Sequence, residues 1–450
     1  MNPKQSTAAV SPARRAAFDI LRRVESDSAY ASVLIAALAE EELSREDLAL
    51  AQELVLGVLR WRGSLDYFIE RYSGRALRDF DLPVLIALRM GLYQLRYLTR
   101  IPQSAAVNES VNLVKRARVR SASGLVNAVL RKGARLLGEQ AGQPVADPSE
   151  RASVELSHPR WMLDRWQSWL GEDQMRALAL ANNAAPVTAF RVNTLRVNAK
   201  DVIAALESEG LAVRESEFAP GAFVVEGGPA RAVNEAARRG LIYVQDEASQ
   251  LVSILLEAKR GDRVLDLCAA PGSKASHIAA MTDSKAWIVA CDIHAHRLIT
   301  LKATCRRLGI GSIDALCLDA AKAMPITANY TFDRVLVDAP CSGTGTLRSN
   351  PEIKWRLSPN DIARLAKLQL ALIERAARLV ASGGRLVYST CSIEREENED
   401  VVHRFLNSNS QFRLVEPNAR AELITSDGFV RTFPHRHGTD GFFAAVFERE

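Results

Sequence analysis

Residues 264–274 read VLDLCAAPGSK, and this stretch decides the fold of the carboxyl-terminal half of the chain. Its first four residues form an apolar run of the kind found in buried strands. Small residues and Gly272 then lead into a predicted helix that contains Ile278 and Met281. Small side chains at a strand-to-helix turn let the backbone approach a ligand closely, so the stretch predicts a binding pocket beyond the end of a strand.

Four more short apolar runs follow, and predicted helices separate them. Near-continuous apolar strands that alternate with helices are typical of a parallel sheet covered on both faces. We therefore expect an α/β domain with a doubly wound, mainly parallel sheet at 241–450. In such sheets, ligands bind beyond the carboxyl ends of the strands. The four runs are residues 287–290, 315–318, 334–337 and 385–388.

The remainder of the chain predicts two further domains, as its 450 residues lead one to expect. Apolar residues recur at helical spacing throughout 1–140, which indicates an all-α bundle. Residues 137–148 collect Gly, Pro and polar residues and predict a linker. Residues 150–240 mix helical and extended patterns, including a hairpin between Val213 and Val225, and predict a small α+β domain.

The composition is that of a soluble globular protein, with 48% hydrophobic and 25% charged residues. No apolar run approaches 18 residues and no signal peptide is apparent, so we expect a cytoplasmic protein without a membrane segment. All six cysteines lie from Cys268 onward without zinc-type spacing, which predicts neither a disulfide framework nor a metal site. Between Arg71 and Arg135, thirteen Lys and Arg face three acids. This stretch suits phosphate binding, although solvated helix faces are the alternative.

Four aspartates, Asp266, Asp292, Asp319 and Asp338, end four successive predicted strands. A single aspartate at such a position is often only a helix cap. Four in register are unfavourable for a phosphate-bearing cofactor but suit a nucleoside that carries positive charge. S-adenosylmethionine (SAM), with its sulfonium and amino groups, fits that description. A dinucleotide-dependent dehydrogenase is disfavoured because no GxGxxG follows the first strand.

Two cysteines, Cys341 and Cys391, each follow an apolar strand in a turn rich in polar or small residues. A thiolate that adds to C6 of a cytosine activates C5 toward an electrophilic methyl group. The second thiol would then assist proton removal or enzyme release, and Asp338 is placed to stabilise the ring at N3. The residues alone do not rank the two thiols, and both could be core residues. Of the four remaining cysteines, Cys268 lies in the predicted pocket turn, and three are predicted as buried core residues: Cys291, Cys305 and Cys317.

Several long motifs together resemble the RNA cytosine-5 methyltransferases. They are VQDEAS at 244–249, LDLCAAPGSK at 265–274, DAPCSGTG at 338–345, NPEIKW at 350–355, YSTCS at 388–392 and DGFF at 440–443. One departure is Ser273, where the family usually has glycine. The helical part, with LGVLR at 56–60 and SGLVNAVLR at 123–131, resembles the RNA-binding bundle of the NusB antitermination factor. This combination is similar to the bacterial enzymes that methylate one cytosine of 16S rRNA, with activity of the cytosine-967 type.

The resemblance implies a Rossmann-like class I methyltransferase domain, an RRM-like middle domain and a NusB-like amino-terminal domain. It implies that Cys391 is the nucleophile, that Cys341 supports release, and that Asp338 belongs to the catalytic set. The cofactor SAM would be bound by Cys268, Ala269, Ala270, Pro271, Gly272, Ser273, Lys274, Asp292, Asp319 and Asp338.

The implied partner is 16S rRNA, and we expect a monomer without metal or membrane. A tRNA or other RNA substrate is an alternative, as is a non-catalytic RNA-binding factor that retains the methyltransferase fold. Two segments, Arg191–Thr194 and Asn350–Trp355, could either face the RNA or be structural.

Overall fold

The computed structural model describes residues 10–38, 43–139, 148–226, 231–322 and 330–450. By its contacts the chain forms two compact units. One contains Met1–Ala184 together with Leu347–Arg356, and the other contains Ala185–Thr346 and Leu357–Glu450. Most of the predicted linker, at 140–147, lies outside the described residues. The three-domain division predicted from the sequence remains a proposal.

The described residues contain helices and strands in the following order. The helices are α1 (Pro12–Ser26), α2 (Ala31–Leu38), α3 (Arg45–Arg60), α4 (Arg62–Ser73), α5 (Leu82–Tyr97), α6 (Gln103–Arg116), α7 (Ser123–Glu139), α8 (Pro148–Leu156), α9 (Arg160–Leu170), α10 (Glu172–Asn183), α11 (Ala199–Ser208), α12 (Arg231–Arg238), α13 (Glu247–Leu255), α14 (Ser273–Met281), α15 (Ala295–Leu308), α16 (Ile353–Arg356), α17 (Pro359–Ala377), α18 (Glu399–Ser408) and α19 (Pro434–His437). The strands are β1 (Thr188–Val192), β2 (Ala212–Glu215), β3 (Ala222–Glu226), β4 (Ile242–Val244), β5 (Arg263–Asp266), β6 (Trp287–Asp292), β7 (Ile313–Cys317), β8 (Phe332–Asp338), β9 (Val380–Thr390), β10 (Phe412–Leu414), β11 (Val430–Arg431) and β12 (Phe443–Arg449).

The amino-terminal helices of the first unit, α1 to α7, pack around a shared apolar core. Phe18 of α1, Leu54 of α3, Leu88 of α5 and Leu130 of α7 are all buried in it. Helix α1 begins with proline at its first position, where the missing N–H costs no hydrogen bond. The described residues of this part contain no strand, so the prediction of an all-helical amino-terminal region is confirmed.

A short segment of the carboxyl-terminal half, Leu347–Arg356, belongs to this helical unit. The ammonium of Lys354 is fully buried and donates to Arg60 O at 2.9 Å, Ser157 O at 3.0 Å and Asn183 Oδ1 at 2.9 Å. Burial lowers the pKa of Lys354 well below its usual range, and the positive charge of Arg60 adds to the effect. Three acceptors match the three protons of an ammonium group. For Lys354 the structural alternative is therefore favoured over an RNA-facing role.

The second unit contains a small antiparallel sheet with strand order β2-β3-β1-β4. The predicted hairpin is present, with Val213 opposite Val225. Helices α11 and α12 pack on this sheet through a small core that contains Val202 and Val233. These elements form a small α+β region, as the sequence predicts, but this region is shorter than the predicted 150–240 because α8, α9 and α10 belong to the first unit.

The large sheet of the second unit has the order β10-β12-β9-β8-β5-β6-β7. Strands β9, β8, β5, β6 and β7 are parallel, which confirms the mainly parallel sheet. Alternate strand residues enter two cores: Val264 lies in the core that includes residues of α13, α14 and α15, and Leu265 lies in the core that includes residues of α17 and α18. Strands β12 and β10 extend the sheet in antiparallel orientation, an extension that the sequence patterns did not predict.

Cys291 and Cys305 are buried, as predicted, but the prediction for Cys317 is wrong. Cys317 is the last residue of β7, which pairs with β6 and forms one edge of the large sheet. One side of an edge strand has no neighbouring strand to cover it, so its thiol is exposed. Within the described ranges, no helix is long and apolar enough to cross a membrane.

Candidate active site

The carboxyl ends of the parallel strands gather the predicted site residues at one edge of the large sheet. Strand β5 ends at Asp266, β6 at Asp292 and β8 at Asp338, and Cys391 directly follows β9. Parallel strands end on the same side, so register alone brings these residues together. Cys341 lies three residues beyond Asp338, in the turn that follows β8.

The turn between β5 and α14 exposes little but backbone and small side chains. Its Ala269 N–H donates to Cys291 O at 2.7 Å, and Arg297 Nη2 donates to Ala270 O at 2.8 Å. Gly272 has φ +103°, and a Cβ atom there would lie 3.0 Å from Leu301 Cγ. Glycine is therefore required by both conformation and space. Ser273 is the first residue of α14 and does not have a positive φ, so a serine can take the place of the family's usual glycine without backbone strain.

Two predicted cofactor carboxylates cap the turns in which they lie. Asp292 Oδ1 accepts from His294 N at 2.8 Å, and its Oδ2 pairs with Arg297 at 3.1 Å. Asp319 Oδ1 accepts from Ala321 N at 3.0 Å, and its Oδ2 lies 3.4 Å from Lys322 Nζ. The Asp319 side chain is about a quarter exposed, whereas that of Asp292 is almost fully buried.

Asp266 is fully buried, and neither of its carboxylate oxygens makes a hydrogen bond of ordinary geometry, although the backbone of Cys268 and the charge of Lys274 favour its ionised form weakly. Burial raises the pKa of Asp266 to about 7, and the negative charge of Asp338 adds to the rise. A buried carboxylate without a partner is costly unless a cationic group binds nearby. This edge of the sheet therefore combines acidic side chains with a tight glycine turn. Such a site fits a cofactor like SAM, whose sulfonium and amino groups are positively charged.

The stability of the cofactor-free protein should depend on pH through Asp266. The pKa of Asp266 is about 7 in the folded chain and 3.8 is its ordinary value, so the folded state retains a proton that the unfolded chain has lost between these pH values. This stabilisation is complete below pH 4 and is lost as the pH rises through 7, a change of up to about 4 kcal/mol. We expect the melting temperature of Asp266→Asn, relative to that of wild type, to increase steadily from pH 5 to pH 8. A difference that stays constant with pH would contradict this.

Lys274 and Asp338 form an ion pair at the centre of the site, with Nζ and Oδ2 2.6 Å apart. Lys274 also donates to Ser249 Oγ at 3.1 Å, and Ser389 Oγ donates to the other oxygen of Asp338 at 2.9 Å. The pKa of Lys274 is raised: burial opposes the rise, but the charge of Asp338 and its hydrogen bond outweigh burial. The pair therefore keeps a cation and an anion fixed beside the thiols.

The thiols of Cys341 and Cys391 are in contact, with their sulfur atoms 3.2 Å apart. Both residues are partly buried. The pKa of Cys341 is raised well above its ordinary value, first by its hydrogen bond to Cys391 and then by burial. Either sulfur can donate the hydrogen bond between them, so at this distance one thiol can stabilise the ionised form of the other.

Glu397 is a buried residue of this site that the sequence did not single out. Its carboxylate accepts hydrogen bonds from Ser342 and Ser392, the residues that directly follow the two cysteines, and from Gln369. It lies in the run EREENE at 394–399, whose charge density is typical of a solvated surface. No periodic pattern could have identified it.

Arg191 and Asn193 are buried, which favours a structural role for these two side chains. Arg191 donates to Gln245 Oε1 at 3.2 Å and to Ser276 Oγ at 2.8 Å. Asn193 Nδ2 donates to Gly240 O and to Leu308 O. Thr194, in contrast, is exposed.

The basic stretch between Arg71 and Arg135 is largely exposed on the helical unit. Eleven of its thirteen Lys and Arg residues are exposed. Arg89 is the buried exception, and it pairs with Asp66 at 2.6 Å. Within the described residues, no group of three or more His, Cys, Asp or Glu side chains could hold a metal ion.

Comparison with protein families yields three matches along the chain. Residues 253–448 match the 16S rRNA methyltransferase RsmB/F model, residues 11–135 match the NusB family, and residues 158–230 match a ferredoxin-like domain of RsmF/B-like methyltransferases. A probable ribosomal RNA small subunit methyltransferase B of Bacillus subtilis is 35% identical over 97% of this chain and 98% of its own. The ribosomal RNA small subunit methyltransferase B of Pseudomonas syringae is 35% identical over 90% of both chains.

Solved structures show the same similarity. The crystal structure of PH0851 is 31% identical, covers 99% of this chain and 100% of its own, and has a TM-score of 0.85. The structure of NSun6 from Pyrococcus horikoshii with SFG is 22% identical, covers 65% of this chain and 98% of its own, and has a TM-score of 0.59. At that identity, the NSun6 similarity supports the fold alone.

Proposed function

Because the chain belongs to the RsmB/F family of 16S rRNA methyltransferases, which are SAM-dependent, we propose that it methylates C5 of a cytosine in 16S rRNA, with activity of the cytosine-967 type. The observation that carries this proposal is the 3.2 Å contact between Cys341 and Cys391, at the sheet edge that also holds the cofactor carboxylates. RNA methylation at oxygen or at an exocyclic nitrogen has no need of a pair of thiols.

In the proposed reaction the Cys391 thiolate adds to C6 of the cytosine and forms a covalent bond to the ring. C5 thereby gains electron density and takes up a methyl group. A base then takes the C5 proton, a step that the second thiol can assist, and the electron pair of the C5–H bond expels Cys391 from C6 as a thiolate, which restores the aromatic ring. When bound, SAM supplies the electrophilic methyl group on its positively charged sulfur.

The proposed roles of the two thiols combine the family resemblance with their contact. The resemblance assigns the attack on C6 to Cys391. The contact of 3.2 Å places Cys341 where it can donate a hydrogen bond to the Cys391 thiolate that must leave C6, and so stabilise it.

The acidic and basic groups around the thiols have distinct proposed roles. Asp338, fixed by Lys274 and Ser389, is proposed to accept a hydrogen bond from the N3–H of the activated cytosine ring and so to stabilise the charge on that ring. Asp266, Asp292 and Asp319, together with the backbone of the turn at 268–274, are proposed to bind SAM. The exposed basic residues of the helical unit are proposed to contact rRNA phosphates. We also propose that the protein acts as a monomer in the cytoplasm.

The test is transfer of labelled methyl from SAM to unmodified 16S rRNA, followed by nucleoside analysis and mapping of the modified base. We expect 5-methylcytosine at a single position. Bulk tRNA serves as the matched alternative substrate, and transfer to tRNA alone would replace the rRNA proposal. No 5-methylcytosine in either RNA would contradict a cytosine-5 methyltransferase.

A further inference from the structure

We propose that Glu397 is a positioning residue for the two thiols: its carboxylate ties the turn that carries Cys341 to the turn that carries Cys391 and so fixes the separation of the sulfur atoms. The functional consequence rests on the proposed function, because it matters only if both thiols act on one base. Glu397 itself is fully buried and so does not act on the RNA directly.

The first observation is that Glu397 contacts both turns at the residue next to each sulfur. One oxygen accepts from Ser342 N at 2.9 Å and from Gln369 Nε2 at 2.9 Å. The other accepts from Ser342 Oγ and, at 2.5 Å, from Ser392 Oγ. One carboxylate therefore receives four hydrogen bonds, and three of them come from the two serines that follow the cysteines. Hydrogen bonds to a buried charged group are among the stronger ones in proteins.

The second observation is that Glu397 is itself held in place against β9. Its carbonyl oxygen accepts from Tyr388 OH at 2.5 Å. The next residue, Asn398, accepts from Thr390 Oγ1 at 2.5 Å and donates to Ser392 O at 2.9 Å. A positioning group works only if it is fixed by its own neighbours, and these bonds provide that.

The two turns also contact each other without Glu397. Ser342 Oγ lies 3.0 Å from Ser392 Oγ, but both hydroxyls donate to Glu397, so the carboxylate sets the position of each. Further along the chain, Gly345 N donates to Cys391 O at 3.0 Å and Ile393 N donates to Thr344 Oγ1 at 3.1 Å, and these bonds keep the turns adjacent. On the Cys341 turn they lie three and four positions from the cysteine, whereas Ser342 is its immediate neighbour. Loss of the Glu397 carboxylate should therefore make the distance between the sulfur atoms more variable while the turns stay adjacent.

Glu397 also affects the electrostatics of the pair, and this effect has the opposite sign to the positioning effect. The pKa of Cys341 is raised first by its hydrogen bond to Cys391, then by burial, and further by the negative charges of Cys391 and Glu397. Neutralising Glu397 would lower that pKa and make the thiol more reactive. If Glu397 positions the thiols, its neutralisation should instead make contact between the two sulfur atoms less frequent and so slow their reaction with each other.

Oxidative cross-linking distinguishes the two effects without RNA or SAM. Diamide takes two electrons and two protons from a pair of thiols, which join as a disulfide while diamide becomes the hydrazine. In the full-length wild-type protein we expect rapid formation of the Cys341–Cys391 disulfide, detected by peptide mass mapping. In Glu397→Gln, which keeps the size of the side chain, we expect this rate to fall about tenfold. An unchanged or faster rate in Glu397→Gln, or slow cross-linking in wild type, would overturn the proposal.

The matched control is Glu396→Gln, which makes the same change of charge one residue earlier and should leave the cross-linking rate unchanged. If Glu397→Gln does not fold, as judged by circular dichroism, Ser342→Ala and Ser392→Ala take its place. Each removes one hydroxyl donor to the carboxylate, so each should slow cross-linking by a smaller factor. Wild-type rates in both serine variants would overturn the proposal.

The kinetic arm uses the same variants with SAM and rRNA. A misplacement of about 1 Å can slow a reaction roughly a hundredfold, so we expect kcat of Glu397→Gln to fall by about 10- to 100-fold. Both KM values should change less than about twofold, because Glu397 contacts neither substrate. A fall in SAM affinity with unchanged kcat would overturn the positioning role. If the wild-type protein transfers no methyl group, the proposed function fails, but the cross-linking result still decides the role of Glu397.

Discussion

The Cys391→Ala variant is expected to lose methyl transfer to RNA, with a fall of at least about a thousandfold. The proposed mechanism has no route to an activated C5 without a sulfur bonded to C6, and Cys391 is the sulfur that ionises. The measurement is single-turnover formation of 5-methylcytosine under saturating SAM. SAM affinity should remain close to that of wild type, because the proposed cofactor residues are unchanged.

The matched control is Cys305→Ala, which removes a thiol from the core of the same unit, away from the strand ends. It should retain transfer. Rapid transfer by Cys391→Ala would contradict covalent catalysis through this residue. If Cys391→Ala accumulates a covalent RNA adduct while Cys341→Ala is inactive, the two roles are reversed.

The parts of the fold that follow a repeating pattern could be predicted from the sequence. The five parallel strands, the turn at 264–274 and the helical bundle all show a period or a run that physical chemistry links to one structure. Strand β12 also contains an apolar run, but such a run specifies neither the direction of a strand nor its neighbour, so the antiparallel pairing with β9 could not be predicted. Likewise Cys317 has the sequence context of a buried strand, and only the order of strands in the sheet makes it exposed.

The active site could be predicted only in part, for a similar reason. Asp266, Asp292 and Asp338 could be placed because strand ends meet at one edge of a parallel sheet. Glu397 and Lys354 are charged residues in polar segments, and charged residues are seldom buried unless they are paired. Their burial depends on partners distant in sequence, such as Ser342 for Glu397 and Arg60 for Lys354. No local pattern encodes such partners.

The ranking of the two thiols also required more than the sequence. Cys341 and Cys391 occupy equivalent positions after neighbouring parallel strands, so the residues alone leave them interchangeable. The resemblance assigned the nucleophile to Cys391. The structure shows the two sulfur atoms in contact at 3.2 Å, and because either thiol can be the donor, this contact does not rank them.

The Cys341→Ala variant is expected to retain the methyl step but to accumulate a covalent complex with RNA. The hydrogen bond from Cys341 stabilises the Cys391 thiolate when it is free and is weakened once that sulfur is bonded to C6. Removal of the donor should therefore favour the adduct by about 1.5–3 kcal/mol, or roughly ten- to hundredfold in the ratio of adduct to free enzyme. The adduct would appear as a slowly migrating band on a denaturing gel that disappears after ribonuclease treatment. Cys341→Ser, which restores a donor, should lower its amount. If Cys341→Ala turns over like wild type without an adduct, Cys341 has no role in release.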